Sequence, residues 1–465
     1  AAELSVPLTE AQNEIWLAAQ LGDDASCAFN ESLTLRLSGS LDERAFAEAL
    51  ATVIARHDAL RASFGTTGEA MHVDPKGLVQ YETIDVAGDG LPAAEAALAA
   101  YVASDARRAF DLASGPLVRA RMFALGTDEH AFVFTAHHIV CDGWSINVIL
   151  DELAATYAAA HSGTPSGLPV PLSFSTYARR SHASDPARAA LVEAYWHDQF
   201  ATPVRPLDLP TDRPRPSRKT FNGATLSARI DERRYLAVKK AGARAGCTLF
   251  VTLLAGFGAL MGRLGKRNDV VIGIPAAGQA LLENEILVGH CVDFLPIRTG
   301  RDAATSLTEF LTAVKRRVLD AYEHQNYTLG TLVRTLAPAR ESNRVPLAEI
   351  QFNLERLGDR LDFSGLAASV VPNAKAFVNF DVFFNVIEAS DGLRIDCDYN
   401  TDLFDRATIA GWLNDFGTML DAMAADATVA IDAVTFAPAL HGDALSSCDG
   451  PAYAVPRDAT VATLF

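Results

Sequence analysis

The stretch Thr135-Ala-His137-His138-Ile-Val-Cys-Asp142-Gly143-Trp144-Ser145 follows a short apolar run and precedes a segment with helical spacing. The apolar run, Ala131 to Ala136, predicts a buried central strand. Apolar residues recur at helical intervals from Trp144 to Ala160, which predicts a helix. A junction between strand and helix places side chains at the mouth of a sheet, where catalytic residues are common. The stretch therefore predicts an α/β fold with a candidate site at this junction.

Further patterns of both periods lie on either side of the junction. Leu33 to Leu37 alternates as a strand does, and Ser40 to His57 has helical spacing. At the start of that helix, Ser40 and Glu43 have the spacing of a capping box. The first half therefore predicts a mixed α/β unit.

Two segments rich in Pro, Gly and Ser, 161–173 and 202–218, separate this unit from a second half with a similar order of helices and strands. The regular pattern weakens after about residue 436. We therefore predict two domains, residues 1–170 and 171–436, followed by a linker at residues 437–465.

Composition narrows the classes of function. The chain has 465 residues and a formal net charge of −17, which argues against a nucleic-acid partner. No apolar run has the length of a membrane span, and the first residues lack the features of a signal peptide. The six cysteines include no CxxC pair, so neither a metal site nor a disulfide framework is indicated. We expect a cytoplasmic protein with no membrane partner.

The residue types at the junction suit acyl transfer to an amine. A neutral imidazole can accept a proton or orient the amine, because its pKa lies near operating pH. A glycine lets backbone N–H groups approach a reacting carbonyl, and a carboxylate can brace the loop if it meets a buried Arg. The alternative interpretation is that His137 and His138 are only packed and hydrogen-bonded at a strand end.

HHxxxDG resembles the active-site motif of the condensation domains of nonribosomal peptide synthetases, which are related to chloramphenicol acetyltransferase. Six further segments resemble the family's other motifs in the expected order, and they lie at residues 8–16, 56–64, 174–178, 288–298, 324–327 and 340–347. The tail from Tyr453 to Phe465 resembles the linker toward an adenylation domain. The resemblance implies two chloramphenicol-acetyltransferase-like lobes that form a V-shaped pseudodimer with a central apolar tunnel.

The same resemblance implies a function and roles at the site. The domain would join a carrier-bound donor thioester to the amine of a carrier-bound aminoacyl acceptor. His138 would be the catalytic histidine, and Gly143 would lie beside the reacting thioester. His137 and Trp144 would support the site, and Asp142 would hold the loop through a salt bridge to Arg298. The domain itself would bind no cofactor, since phosphopantetheine arms of upstream and downstream carrier domains deliver the substrates.

Three residues are candidates for the substrate pocket: Ser145, Asp293 and Asn353. Asp293 stands where the family commonly has Asn, and it follows His290 and Cys291, a variant associated with polyketide-derived donors. Asn13 replaces the usual Arg of the first motif. Asp293 argues against an ordinary amino-acid donor, and we expect it either to join Arg298 or to lie partly in water.

Several alternatives remain open on the same scaffold. A condensation domain that also dehydrates its donor fits the motif, as does an acyltransferase that uses a soluble amine or alcohol. The cyclising subfamily carries DxxxxD where this chain has HHxxxDG. A further alternative, from another class, is an inactive module that recruits partner proteins, although such modules typically lose the second His or the Gly.

Overall fold

A computed structural model describes residues 4–77, 79–183, 185–282, 285–302, 304–337, 341–356, 361–389 and 391–436. The predicted linker at 437–465 lies outside these residues. The described strands are β1 (Leu4–Pro7), β2 (Asn30–Ser38), β3 (Ala62–Ser63), β4 (Ala70–Val73), β5 (Gln80–Asp85), β6 (Val118–Ala124), β7 (Glu129–His137), β8 (Gly223–Asp231), β9 (Asp269–Ala277), β10 (Val292–Gly300), β11 (Ile350–Arg356), β12 (Ala367–Pro372), β13 (Val382–Ala389) and β14 (Gly392–Asn400). The described helices are α1 (Glu10–Ala19), α2 (Asp23–Cys27), α3 (Glu43–Arg56), α4 (Leu91–Asp105), α5 (Gly143–Ser162), α6 (Phe174–Ser181), α7 (Pro186–Gln199), α8 (Glu232–Arg244), α9 (Leu249–Leu264), α10 (Leu307–Glu323), α11 (Leu329–Leu336) and α12 (Arg406–Ala425).

The first lobe is built on a five-stranded sheet with the strand order β12-β2-β7-β6-β5. Its central strand, β7, is buried on both faces. Phe132 and Phe134 pack in one core with residues of α3 and α5. Ala131 and Val133 pack in another core with residues of α4. A strand covered on both faces is apolar throughout rather than alternating, and this confirms the predicted central strand.

The second lobe is built on a six-stranded sheet with the order β10-β9-β11-β13-β14-β8. Helices α8, α9, α10 and α12 contribute to the core on one face of this sheet. Along β11, Ile350 and Phe352 are fully buried in that core. Gln351, Asn353 and Glu355 instead line a large cavity. Since successive side chains of a strand point to opposite faces, one face of this sheet forms a wall of the cavity.

Segments from the second half of the chain join the first lobe. Strand β12 pairs antiparallel with β2, from Ala367 opposite Ser38 to Pro372 opposite Leu33. A strand from the second half therefore completes the sheet of the first lobe. Helix α6 also packs in the core that Phe132 and Phe134 form with α3 and α5. The limit at residue 170 stays a prediction, and the two halves of the sequence are not separate in space.

Helix α3 begins at Glu43, and its N-cap is Asp42. The Asp42 carboxyl accepts a hydrogen bond of 2.9 Å from the Ala45 backbone N–H. The predicted capping box of Ser40 with Glu43 is therefore wrong. Asp is as strong an N-cap as Ser, and Asp42 stands directly before the first helical residue.

Among the described residues, no single helix has the length and apolarity to cross a membrane. Helices α8 and α9 meet the requirement only together, and they are bent by 100°. Helix α9 lies in the core of the second lobe, where residues on all its sides are buried.

Candidate active site

The HHxxxDG loop leaves the first sheet at the end of β7 and enters helix α5. His137 is the last residue of β7, and Gly143 is the first residue of α5. The His138 backbone N–H donates to the Phe29 carbonyl at 2.8 Å, so the loop is tied to the segment before β2. The sequence predicted this strand–loop–helix order, and the structure confirms it.

His137 is fully buried. Its Nδ1 accepts a hydrogen bond of 3.3 Å from the Ile139 backbone N–H. Its Nε2 lies 3.4 Å from the Ser26 hydroxyl. Burial, aided by the neighbouring His138, lowers the pKa of His137 to about 3. The ring is therefore neutral with its proton on Nε2, and its contacts are those of a group that shapes the loop.

His138 lies on the wall of the cavity. Its Nδ1 is 3.1 Å from Nδ1 of His290, and the two rings meet edge to face. Its Nε2 is 3.9 Å from Oε1 of Glu31. Burial keeps the pKa of His290 well below its ordinary value, so His290 is neutral. One Nδ1 of the pair must donate and the other accept, and this contact fixes the orientation of the His138 ring.

Asp142 is fully buried and accepts four hydrogen bonds. One oxygen receives the Ser145 backbone N–H at 2.8 Å and the Ser145 hydroxyl at 2.7 Å. The other receives the Gln279 amide at 2.8 Å and the Cys291 backbone N–H at 3.0 Å. The carboxyl thus caps helix α5 and ties the loop to the segments between β9 and β10.

The predicted salt bridge between Asp142 and Arg298 is wrong. The Arg298 guanidinium pairs instead with Asp269, at 2.6 Å, and donates to the carbonyls of Gln199 and Thr202. Strand β10 begins beside the cavity and runs away from it, so Arg298 lies well along the strand from the loop. The hydrogen bonds that Asp142 accepts come from neutral donors.

Gly143, Trp144 and Ser145 occupy the first turn of α5. Gly143 and Trp144 line the cavity, and Trp144 is 48% exposed, so it presents a large apolar surface to that space. Ser145 was predicted as a pocket residue, and this is wrong. It is fully buried, and its hydroxyl donates to the Asp142 carboxylate, accepts from the Gly289 backbone N–H and lies 2.9 Å from the Gly289 carbonyl. The side chain of Ser145 therefore faces the interior of the protein.

Asp293 and Asn353 both line the cavity, on β10 and β11. Burial, with a smaller effect of Glu14, raises the pKa of Asp293 to about 7. Asp293 is half-buried and does not contact Arg298, so the expectation that it lies partly in water agrees with its position. The Asn353 amide donates to Glu355 and to Asn385, each at 3.1 Å.

The cavity between the lobes has a volume of about 1570 Å³ and occupies the place predicted for the tunnel. The lining is apolar over most of its surface, as predicted, and Phe29, Trp144 and Phe294 contribute to it. On the second sheet it also carries polar groups, since Asn353, Asn385, Asp396 and Asp398 line it. Within the described residues, no three His, Cys, Asp or Glu side chains are grouped so as to hold a metal ion.

Sequence reasoning missed several residues that the structure brings to the site: Gln279, Glu31, Lys375 and Glu355. Gln279 contacts Asp142, and the Lys375 ammonium is 2.6 Å from Glu31, which in turn lies near His138. Only Glu355 could have been found from the sequence. Polar residues alternate with apolar ones from Gln351 to Glu355, and this pattern predicts a strand with one polar face. The contacts of Gln279, Glu31 and Lys375 join residues that are far apart in the sequence, so no local pattern predicts them.

Comparisons with known proteins agree with this geometry. The family described as "Condensation domain" matches residues 2–445. Malpinin synthetase of Mortierella alpina is 33% identical over 428 residues, covering 90% of this chain and 6% of that protein. Chondramide synthase cmdD of Chondromyces crocatus is 32% identical over 425 residues, covering 90% of this chain and 11% of that protein. The chain thus spans only 6% to 11% of the length of these relatives.

Solved structures show the same fold. The X-domain from teicoplanin biosynthesis, in complex with OxyB, has a TM-score of 0.80 and 25% identity and covers 93% of this chain and 96% of its own. The first condensation domain of the calcium-dependent antibiotic synthetase, in complex with a substrate analogue, has a TM-score of 0.79 and 22% identity and covers 94% of this chain and 99% of its own. The predicted pair of chloramphenicol-acetyltransferase-like lobes is thereby confirmed, and the chain belongs to the condensation-domain family of nonribosomal peptide synthetases.

Proposed function

We propose that this domain forms an amide bond between a donor acyl or peptidyl thioester and the amine of an aminoacyl acceptor. The observation that carries the proposal is the position of His138. Its ring lines a cavity between the lobes, beside Gly143, and a neutral His290 holds its orientation. A cavity of about 1570 Å³ has room for two acyl groups and the ends of their carrier arms.

The chemistry follows from the groups on the wall. If the His138 Nδ1–H donates to His290, the Nε2 lone pair is free to accept a proton from an attacking amine. Gly143 has no side chain, so the reacting carbonyl can approach the first turn of α5. Asp142 fixes that turn through its four hydrogen bonds, so the loop is organised before substrate arrives.

The proposal includes the partners that the chemistry requires. Phosphopantetheine arms of an upstream and a downstream carrier domain would present the two thioesters, and an adenylation domain would follow. The relatives support this, because the chain matches 6% of the length of malpinin synthetase and therefore one part of a much longer protein. A cytoplasmic location is part of the same proposal.

A reconstitution tests the proposal. Donor and acceptor carriers are loaded chemically, mixed with the domain, and the carrier-bound product is measured by mass spectrometry. We expect product with wild type and a loss of about 100-fold or more with His138→Ala. The matched control is His161→Ala, because His161 lies in the last turn of α5, the helix that follows the HHxxxDG loop, and is about half exposed. Near-normal product from His138→Ala would place the chemistry on another residue.

One observation favours a second candidate function, a module that recruits a partner protein. The teicoplanin X-domain, solved as a complex with OxyB, covers 93% of this chain at 25% identity. The reconstitution separates the two functions, since a docking module forms no amide with any pair of carriers. Retention of both His138 and Gly143 on the cavity wall favours the enzyme.

A further inference from the structure

A carboxyl group on the second lobe, that of Glu355, lies beside Gly143 on the wall of the cavity. Along β11 the side chains of Gln351, Asn353 and Glu355 point into the cavity, because they alternate with core residues. Oε1 of Glu355 lies 3.4 Å from the position that a Cβ atom on Gly143 would take. Glu355 and the first turn of α5 are therefore close enough to contact the same small group.

Among the described residues, no Lys or Arg forms an ion pair with the Glu355 carboxyl. The carboxyl accepts a hydrogen bond of 3.1 Å from the neutral Asn353 amide. The nearby Lys375 ammonium is engaged by Glu31 at 2.6 Å. Glu355 is half-buried on the cavity wall. A carboxyl that is partly removed from water and has no cationic partner favours its neutral form, and this desolvation raises the pKa of Glu355 to about 7.

A protonated acceptor amine would supply the positive charge that the Glu355 carboxylate lacks. Below its own pKa the amine is an ammonium ion, which has no lone pair for attack and must first lose a proton. A cationic group that contacts Glu355 from the cavity, beside Gly143, would compensate a carboxylate there. A group that titrates near neutral pH can both bind and release a proton. His138 lies on the same cavity wall as Gly143.

We propose that Glu355 is a second catalytic residue, which binds the acceptor as its ammonium ion and takes the first proton from it; this rests on the proposed function. The Glu355 carboxylate accepts one proton from the ammonium and becomes a neutral acid. The nitrogen lone pair then forms the C–N bond at the thioester carbonyl. His138 takes the second proton, the C–S bond breaks, and the carrier thiolate receives that proton. Glu355 returns its proton to water, so one amide, one thiol and one proton result.

The experiment compares two acceptors that differ in charge but little in shape. A panel of proteinogenic aminoacyl carriers first identifies the acceptor that wild type uses fastest, with the donor held constant. That acceptor is then compared with its aminooxy analogue, whose terminal nitrogen is uncharged at neutral pH. Single-turnover rates are measured for wild type, Glu355→Gln, Glu355→Asp and the surface control Glu48→Gln.

We expect Glu355→Gln to slow the ammonium acceptor by about 100-fold at pH 7, the scale of a lost proton acceptor. The aminooxy acceptor should lose less than about threefold, and this also shows that the variant is folded. Raising the pH should restore the amine reaction of Glu355→Gln, because more of the acceptor is then free amine. Glu355→Asp should keep part of the rate, and Glu48→Gln, on the exposed face of α3, should match wild type.

Three outcomes would overturn the inference. Equal losses with both acceptors would make Glu355 a structural residue, and normal rates with both would remove it from the reaction. In either case His138→Ala still slows both acceptors if the proposed function holds. Failure of wild type with every acceptor would refute the proposed function, and the role of Glu355 with it.

Discussion

Removing the Asp142 carboxyl should cost more stability than any other single change in the loop. In Asp142→Ala the Ser145 and Cys291 backbone N–H groups and the Gln279 amide lose their acceptor in a fully buried place. A buried donor without a partner costs about 1–3 kcal/mol. Since the Ser145 hydroxyl can still donate to Gly289, we expect a total of about 3–5 kcal/mol.

The stabilities of double variants test this network more directly than those of the single variants. Gln279→Ala removes a donor that bonds to Asp142 at 2.8 Å, so its cost should nearly disappear in the Asp142→Ala background. We expect a coupling energy of about 1–2 kcal/mol for that pair. Arg298→Ala breaks contacts with Asp269, and its cost should add to that of Asp142→Ala within about 0.5 kcal/mol.

Urea unfolding followed by circular dichroism measures the free energies of unfolding of the three single and two double variants. Equal slopes against urea are required for the comparison, because a changed slope indicates a changed unfolded or native state. A coupling of about 1 kcal/mol or more between Asp142 and Arg298, or strict additivity between Asp142 and Gln279, would refute the network described above.

His290→Phe should lower the condensation rate about tenfold with little change in melting temperature, because it removes the hydrogen bond of 3.1 Å to His138, worth about 1 kcal/mol, while the ring still fills the space. Asp293→Asn should fold and should shift the product ratio between a peptidyl and a hydroxyl-bearing donor thioester. In the folded state the pKa of Asp293 is about 7, above the value of about 3.9 in an unfolded chain, so wild type loses stability as pH rises from about 4 to 7. The melting temperature of Asp293→Asn, relative to that of wild type, should therefore be higher at pH 8 than at pH 5. An equal difference at the two pH values would show that the pKa of Asp293 is not raised in the folded state. Gly143→Ala should fold, because the new Cβ lies at an ordinary van der Waals distance, 3.4 Å, from Glu355. It should lose turnover in the carrier assay, and full turnover would show that the reacting carbonyl does not approach this turn.

Local pattern was sufficient for the elements around the site. The run Ala131 to Ala136 lies within β7, and the helical spacing from Trp144 matches α5. Both are set by contacts along a short stretch of chain, which the order of apolar residues encodes. The ends of elements were harder to predict, because several residues compete as caps: Asp42 rather than Ser40 caps α3.

Local patterns of this kind did not predict contacts between segments that are far apart in the sequence. The partner of Asp142 was predicted to be Arg298, but it is the neutral Gln279 together with backbone N–H groups. Which of two side chains reaches a carboxyl depends on strand register and on the path of the intervening loop. A shift of one residue in a strand reverses the face of every side chain, so sequence spacing alone cannot choose.

The sequence by itself determined the family, the strand–loop–helix junction and the histidine pair, because the junction and each family motif consist of residues close together in the chain. The tertiary structure alone decided what surrounds His138. His290 lies 152 residues from it in sequence, and Glu355 lies more than 200 residues from it, on a strand of the other lobe. Only folding of the second sheet against the first brings these groups to one cavity, and their burial there sets their charge, since a pKa depends on the surroundings of a group and not on its position in the chain.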